Sequence, residues 1–165
     1  MAGHYRSMTP AIDLLRMLGI DHDIVEYHHD PAHGSFGMEA AEALGVDADS
    51  IFKTLMVTLD DDTHAIGIVP VVCKLDLRSM AAAAGAKKAA MTDPDEAERR
   101  SGYVIGGISP FGQKRPSPTF LDEWALTHEQ IHCSGGRRGL EVGLAPDDLV
   151  SVLDAAVTPI AVWPH

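Results

Sequence analysis

A mixed α+β fold is the class this sequence predicts, on three observations. Two β-rich runs, 51–59 and 64–69, are separated only by Asp60-Asp61-Asp62-Thr63, the pattern of an antiparallel hairpin with an acidic loop. Apolar stripes at helical spacing carry their own start and stop residues, as where Thr9-Pro10 precedes Ile12, Leu14, Leu15 and Leu18 and Gly19 follows. Helical and strand segments also alternate irregularly, without the repeating βαβ unit of a doubly wound parallel sheet, so helices should flank a mixed sheet.

Taken in order, the first helix runs from Thr9-Pro10 to Gly19, and residues 22–27 alternate as a strand. Residues 28–37 read as a loop, and a second helix covers 38–44 with Gly45 as its stop. After the hairpin, the Ala-rich stretch 76–84 is helical and ends at Gly85, and Asp93-Pro94 opens another helix through Arg100. Residues 111–118 hold two prolines and four polar side chains and should form an exposed loop. Short strands near 119–122, 129–134, 139–144 and 158–163 surround a helix over 146–155.

With 165 residues, 45% of them hydrophobic, the chain can build one core, so a single domain over 8–165 is expected, with 1–7 as an N-terminal extension. Residues 1–8 hold no secretory apolar core and no later run approaches membrane-spanning length, which points to a soluble cytoplasmic protein with no membrane partner. Cys73 and Cys133 lack metal-type spacing and no disulfide is needed, which suits a reducing compartment. The formal charge of −11 argues against tight unaided binding to a polyanion, DNA included. Eight of the 13 basic residues nevertheless occur as the doublets Lys87-Lys88, Arg99-Arg100, Lys114-Arg115 and Arg137-Arg138, the last two near Gly-rich segments.

Three segments carry chemical interest. In Tyr103-Val104-Ile105-Gly106-Gly107-Ile108-Ser109-Pro110, the Gly pair lets the backbone approach a ligand with bare N–H groups, suited to a carbonyl or phosphate oxygen, although such a turn also serves as a plain connection. Lys53 shares the more apolar face of its strand with Ile51, Leu55 and Val57, so its ammonium either snorkels to the edge or lines a cleft with a depressed pKa. Ser134-Gly135-Gly136-Arg137-Arg138-Gly139-Leu140 is the third, yet no Asp or His is spaced to make Ser134 a triad nucleophile. In His28-His29-Asp30-Pro31-Ala32-His33, His29 and His33 are four apart, but Pro31 between them biases the segment to extended backbone and away from the helical placement of a metal site, and no metal is expected there. Tyr27 and Phe36 bracket that loop as pocket walls or loop anchors.

These segments, with Met8-Thr9-Pro10-Ala11, His29-Asp30-Pro31, Phe36-Gly37, Phe52-Lys53-Thr54-Leu55, Leu75-Asp76-Leu77 and Gly85-Ala86-Lys87-Lys88, resemble the YbaK group of aminoacyl-tRNA editing proteins, the free-standing bacterial Cys-tRNA(Pro) and Cys-tRNA(Cys) deacylases. The resemblance covers nearly everything from Met8 to about Ala161. It implies a strongly curved, partly barrel-like mixed sheet with helices around it, shared with the editing insertion of bacterial prolyl-tRNA synthetases. It implies Lys53 as the essential lysine, Gly106 as the carbonyl-facing glycine, and Tyr27 and Phe36 as pocket aromatics. Gly107, Ile108 and Ser109 of the turn and Ser134 complete the expected substrate-binding set together with Glu141, which stands where the family usually has an aspartate.

No cofactor is expected. The mechanism implied is substrate-assisted: the thiol of the misattached cysteine attacks its own ester carbonyl, or a terminal ribose hydroxyl helps instead, and the protein positions the groups. Lys53 then holds either the terminal phosphate or the ester oxygens. The partners implied are the acceptor end of an aminoacyl-tRNA and prolyl-tRNA synthetase. Two other functions fit the same residues: a deacylase of another small amino acid, as on Ala-tRNA(Pro), and a non-catalytic tRNA- or synthetase-binding module.

Overall fold

The computed structural model describes residues 8–32 and 35–165. The expected N-terminal extension and His33 lie outside the described residues. Helix α1 (Pro10–Met17) begins where Thr9 Oγ1 accepts the Ile12 N–H, with Pro10 in the first turn, and it buries Ala11, Ile12 and Leu15. Strand β1 (Asp23–Glu26) follows, and then α2 (Phe36–Leu44). Helix α2 starts two residues earlier than the sequence predicts, because Ser35 caps it by accepting the Met38 N–H. That places Phe36 in the first helical turn rather than in the loop.

Strands β2 (Phe52–Leu59) and β3 (His64–Pro70) form the predicted hairpin, in register from Phe52 opposite Pro70 to Thr58 opposite His64. Two-residue β4 (Lys74–Leu75) leads into α3 (Leu77–Ala83), capped by Asp76, and β5 (Ala89–Met91) leads into α4 (Pro94–Ser101), capped by Asp93. Next come β6 (Thr119–Asp122), β7 (Ile131–Arg137), β8 (Leu140–Leu144) and α5 (Pro146–Leu153), then β9 (Ala156–Thr158) and β10 (Ala161–Val162). The strand expected over 158–163 is thus split in two. Pro159 lies at the break, and Asp122 Oδ1 accepts the N–H groups of Ile160 and Ala161 there.

The order in the main sheet is β5-β2-β3-β6-β9, antiparallel in its first half and parallel from β3 to β9. A second, antiparallel sheet has the order β1-β8-β7, and β10 pairs with β4. The mixed α+β class is as predicted. The barrel-like part of the expectation needs correcting: hydrogen bonding among the described residues runs in three separate open sheets, and a bridge between Ile51 and His132 links the first two.

Strand β2 is central because both of its faces are covered. Phe52 and Met56 join α1 and the β7–β8 hairpin in the larger core, while Val57 and Leu59 pack with Val69, Met80 and Ile160 in the second. The segment expected as an exposed loop, 111–118, is exposed only in part. Phe111 is fully buried, and its carbonyl accepts the Tyr103 hydroxyl at 2.6 Å, since an aromatic ring gains more from the core than from solvent. No helix among the described residues is long and apolar enough to cross a membrane.

Candidate active site

Strand β5 pairs with β2 only at Val57–Leu59, and the Thr92 N–H then donates to the Met56 carbonyl as the chain turns away into α4. Beyond that point β2 has no strand neighbour on this side among the described residues, and a cavity of about 630 Å³ occupies the gap. A strand edge shows both faces of the strand. Consecutive residues from Ile51 to Met56 therefore all line the cavity, and Lys53 reaches it although its side chain belongs to the face shared with Leu55 and Val57.

The cavity gathers Tyr27 from the end of β1, Phe36 from α2, Lys53 from β2, Gly106 and Ile108 from the turn after α4, Ser134 from β7 and Glu141 from β8. Two other expected residues lie outside it. Ser109 is fully buried with its hydroxyl accepting the Phe111 N–H, and Gly107 is packed so closely that a Cβ there would stand 2.7 Å from the Arg137 backbone. Sequence reasoning missed Thr54, Met56, Val71 and the stretch from Met91 to Pro94, because which edge of β2 stays unpaired is a tertiary fact. The Thr54 hydroxyl is buried and has no hydrogen-bond partner among the described residues.

Lys53 is half-buried, and burial pushes its ammonium pKa down; Cys73 and Lys74 are the titratable groups that act on it. No carboxylate stands within ion-pair distance of it among the described residues. The Phe36 ring packs against Gly106, where φ is +87° and a Cβ would come within 2.8 Å of the ring. The missing side chain thus makes room for Phe36 as well as for a ligand. Gly37 has a similar task, since a Cβ there would stand 2.4 Å from Val71 Cγ1, so its absence lets α2 sit down on the sheet. Arg138 lies over the Phe36 ring at 4.9 Å and donates from Nε to the Ile105 carbonyl at 2.8 Å.

The N–H groups of the glycine turn are not equivalent. Ile105 donates to the Glu98 carboxylate at 2.8 Å and Gly107 to the Val104 carbonyl at 2.9 Å. The Gly106 N–H donates to nothing among the described residues. Ser134 sits opposite Glu141 across β7 and β8; its hydroxyl accepts the Gly136 N–H, and no hydrogen bond joins it to an imidazole or carboxylate among the described residues. Burial raises the Glu141 carboxyl to about 8. Tyr27 is pushed up to about 12 by burial and by the neighbouring Glu141 and Glu39, so it is a neutral phenol. In the histidine-rich loop, His29 Nδ1 meets Glu39 Oε1 at 2.8 Å and its ring packs against Phe36, which gives this imidazole a positioning contact.

The cavity thus combines apolar walls with one cation, Lys53, one buried carboxyl, Glu141, and a Gly106 N–H that is uncommitted among the described residues, groups able to hold the oxygen atoms of a small polar ligand. The family model described as the aminoacyl-tRNA editing domain matches residues 31–152, and the chain belongs to that family. It is 36% identical over 120 residues to the "Putative Cys-tRNA(Pro)/Cys-tRNA(Cys) deacylase EbsC" of Enterococcus faecalis (strain ATCC 700802 / V583), covering 73% of each chain. It is also 36% identical over 101 residues, 61% of this chain, to 18% of the proline–tRNA ligase of Shouchella clausii (strain KSM-K16). Among solved structures, a "putative trans-editing enzyme for prolyl tRNA synthetase" superposes with a TM-score of 0.81 at 25% identity, over 94% of this chain and 99% of that one.

Proposed function

We propose that this protein is a trans-editing deacylase that cleaves the aminoacyl ester of mischarged Cys-tRNA(Pro), and of Cys-tRNA(Cys) as a second substrate. The observation that carries the reading is the meeting, in one largely apolar cavity, of a desolvated Lys53 and a Gly106 N–H, the first without a carboxylate partner and the second uncommitted among the described residues. Attack of the Lys53 amine on the ester would leave a stable amide and no turnover, a backbone N–H is no nucleophile, and Ser134 has no hydrogen-bonded base among the described residues. Both are suited to holding oxygen atoms that carry or develop negative charge.

The catalytic step is an intramolecular one. The cysteine sulfur bonds to the ester carbonyl carbon, and the carbon–oxygen bond to the terminal ribose breaks. The thiol proton goes to the departing ribose oxygen, and a cyclic thiolactone leaves. The Gly106 N–H supports the transient oxyanion, Lys53 holds the terminal phosphate or the ester oxygens, and Phe36 and Tyr27 wall the substrate in. A lyase-type release, a cytoplasmic location and a working association with prolyl-tRNA synthetase belong to the same proposal. Assaying Cys-, Ala- and Pro-tRNA(Pro) side by side tests it: rapid loss of the Cys ester with the other two spared is the expected result. Preference for the Ala ester would move the protein to the other editing branch, and no loss of any ester from folded protein would leave a binding module.

A further inference from the structure

We propose that Glu141 is the receptor for the α-ammonium group of the esterified amino acid, so that the cavity reads a free amino group as well as a side chain. This inference rests on the deacylase reading and adds to it the feature that tells an aminoacyl ester from other acyl esters.

Glu141 is 7% exposed and lines the cavity, and its carboxyl has no hydrogen bond or ion pair among the described residues. Its neighbours offer it no cation: Tyr27 and Cys133 are the groups in its field, and burial keeps both neutral. Lys53 is not among the groups that act on it, and the carboxyl does not figure among those acting on the Lys53 ammonium. Asp93, the other acidic residue of the lining, is exposed at the rim and accepts the Asp95 N–H. A buried carboxyl left unpaired is costly unless a ligand completes it. Its environment, mostly apolar with the Ser134 hydroxyl across the ladder, admits a small cationic group.

The cavity therefore has two poles, Lys53 on β2 and Glu141 on β8, with Gly106 also in its wall. The end of an aminoacyl-tRNA has the complementary polarity: an anionic phosphodiester on one side of the ester and an ammonium on the other. Binding in this sense places the ester between the poles and aligns the chain that must fold back on itself. Because burial holds Glu141 largely protonated near neutral pH, an incoming neutral amine can take that proton and form the ion pair without net proton uptake.

The experiment compares Cys-tRNA with 3-mercaptopropionyl-tRNA, which keeps the ester and the thiol and lacks only the ammonium, each rate divided by uncatalysed hydrolysis of the same ester. Full-length protein should prefer the cysteinyl ester in kcat/KM by at least about tenfold at pH 7, as one charge-assisted contact allows, mostly through KM. E141Q should bring that preference close to unity, while K53A lowers both esters and keeps the preference. A preference near unity in the unsubstituted protein, or one undiminished in folded E141Q, overturns the assignment even though both esters are cleaved. If neither ester is cleaved, the deacylase reading itself falls.

Discussion

Lys53 is held where its charge is costly, on a strand whose other residues are packed, and this is why its removal should matter more for rate than for folding. Lys53→Ala should fold and lower Cys-tRNA deacylation by about a hundredfold or more, the scale of losing an electrostatic contact in a water-poor site. Unchanged turnover in the folded variant would show the lysine to be a snorkelling surface residue. Gly106→Ala places a Cβ on a backbone with φ of +87° and against the Phe36 ring. It should cost ~1–2 kcal/mol of stability from the left-handed conformation and displace the ring into the cavity. Deacylation then falls further than the melting temperature alone explains, and a variant as active as the parent would contradict that packing. Glu141 makes a prediction about pH. Its folded-state carboxyl keeps its proton up to about 8, whereas an unfolded glutamate ionises near 4.3. Between these values the folded state binds more protons, so this group's contribution lowers stability as pH rises through the window and changes no further above it. Tyr27 and Cys133, the titratable groups that feel its charge, stay neutral throughout. Melting at pH 5 and pH 8 should show a smaller loss for Glu141→Gln than for the parent, and equal losses would mean that the carboxyl is better solvated than its burial implies.

At the scale of elements, the site is a consequence of one incomplete pairing. Strand β5 is three residues long, and where it leaves β2 the sheet opens into the cavity, with α2 seated against Val71. Gly37→Val should therefore push α2 away and cost ~1–3 kcal/mol from overpacking, with deacylation reduced because Phe36 rides in the first turn of that helix. Denaturant melts and single-turnover rates on the same sample check both parts. The elements with local signals were legible in the sequence: the β2–β3 hairpin through its acidic loop, and α1, α3 and α4 through Thr9, Asp76 and Asp93 at their starts. Strands β4 and β5 were not, because two or three residues such as Lys74–Leu75 become a strand only through a distant partner, here Ala161 and Val162 of β10, itself expected only as part of one longer strand over 158–163. The same division holds for the site. Lys53 and Gly106 stand out as an odd charge and a special turn, and the resemblance supplied Tyr27, Phe36, Ser134 and Glu141. Thr54 and Ala97 carry no local mark and enter the cavity only through the gap beside β2.

For the whole molecule, a net charge of −11 faces a polyanionic substrate. Arg138 at the Phe36 ring and the exposed Lys114-Arg115 doublet can meet a few phosphates, while Arg137 is engaged with Glu26 at 3.1 Å. Binding to free tRNA should accordingly be weak and fall steeply with salt, and docking on a tRNA-loaded prolyl-tRNA synthetase should raise the effective concentration. Titrating labelled tRNA(Pro) at near-physiological salt with and without the synthetase measures this; submicromolar, tRNA-selective binding that ignores the synthetase would contradict it. The central claim is that the protein positions and the substrate's own thiol reacts, and the most direct measurement is single-turnover cleavage of Cys-tRNA(Pro) against Ser-tRNA(Pro) with identification of the released amino acid. The account predicts much faster loss of the cysteinyl ester, with a trappable thiolactone as first product. Comparable rates for the two esters, with free cysteine formed and no thiolactone trapped, would contradict it and point to attack by water.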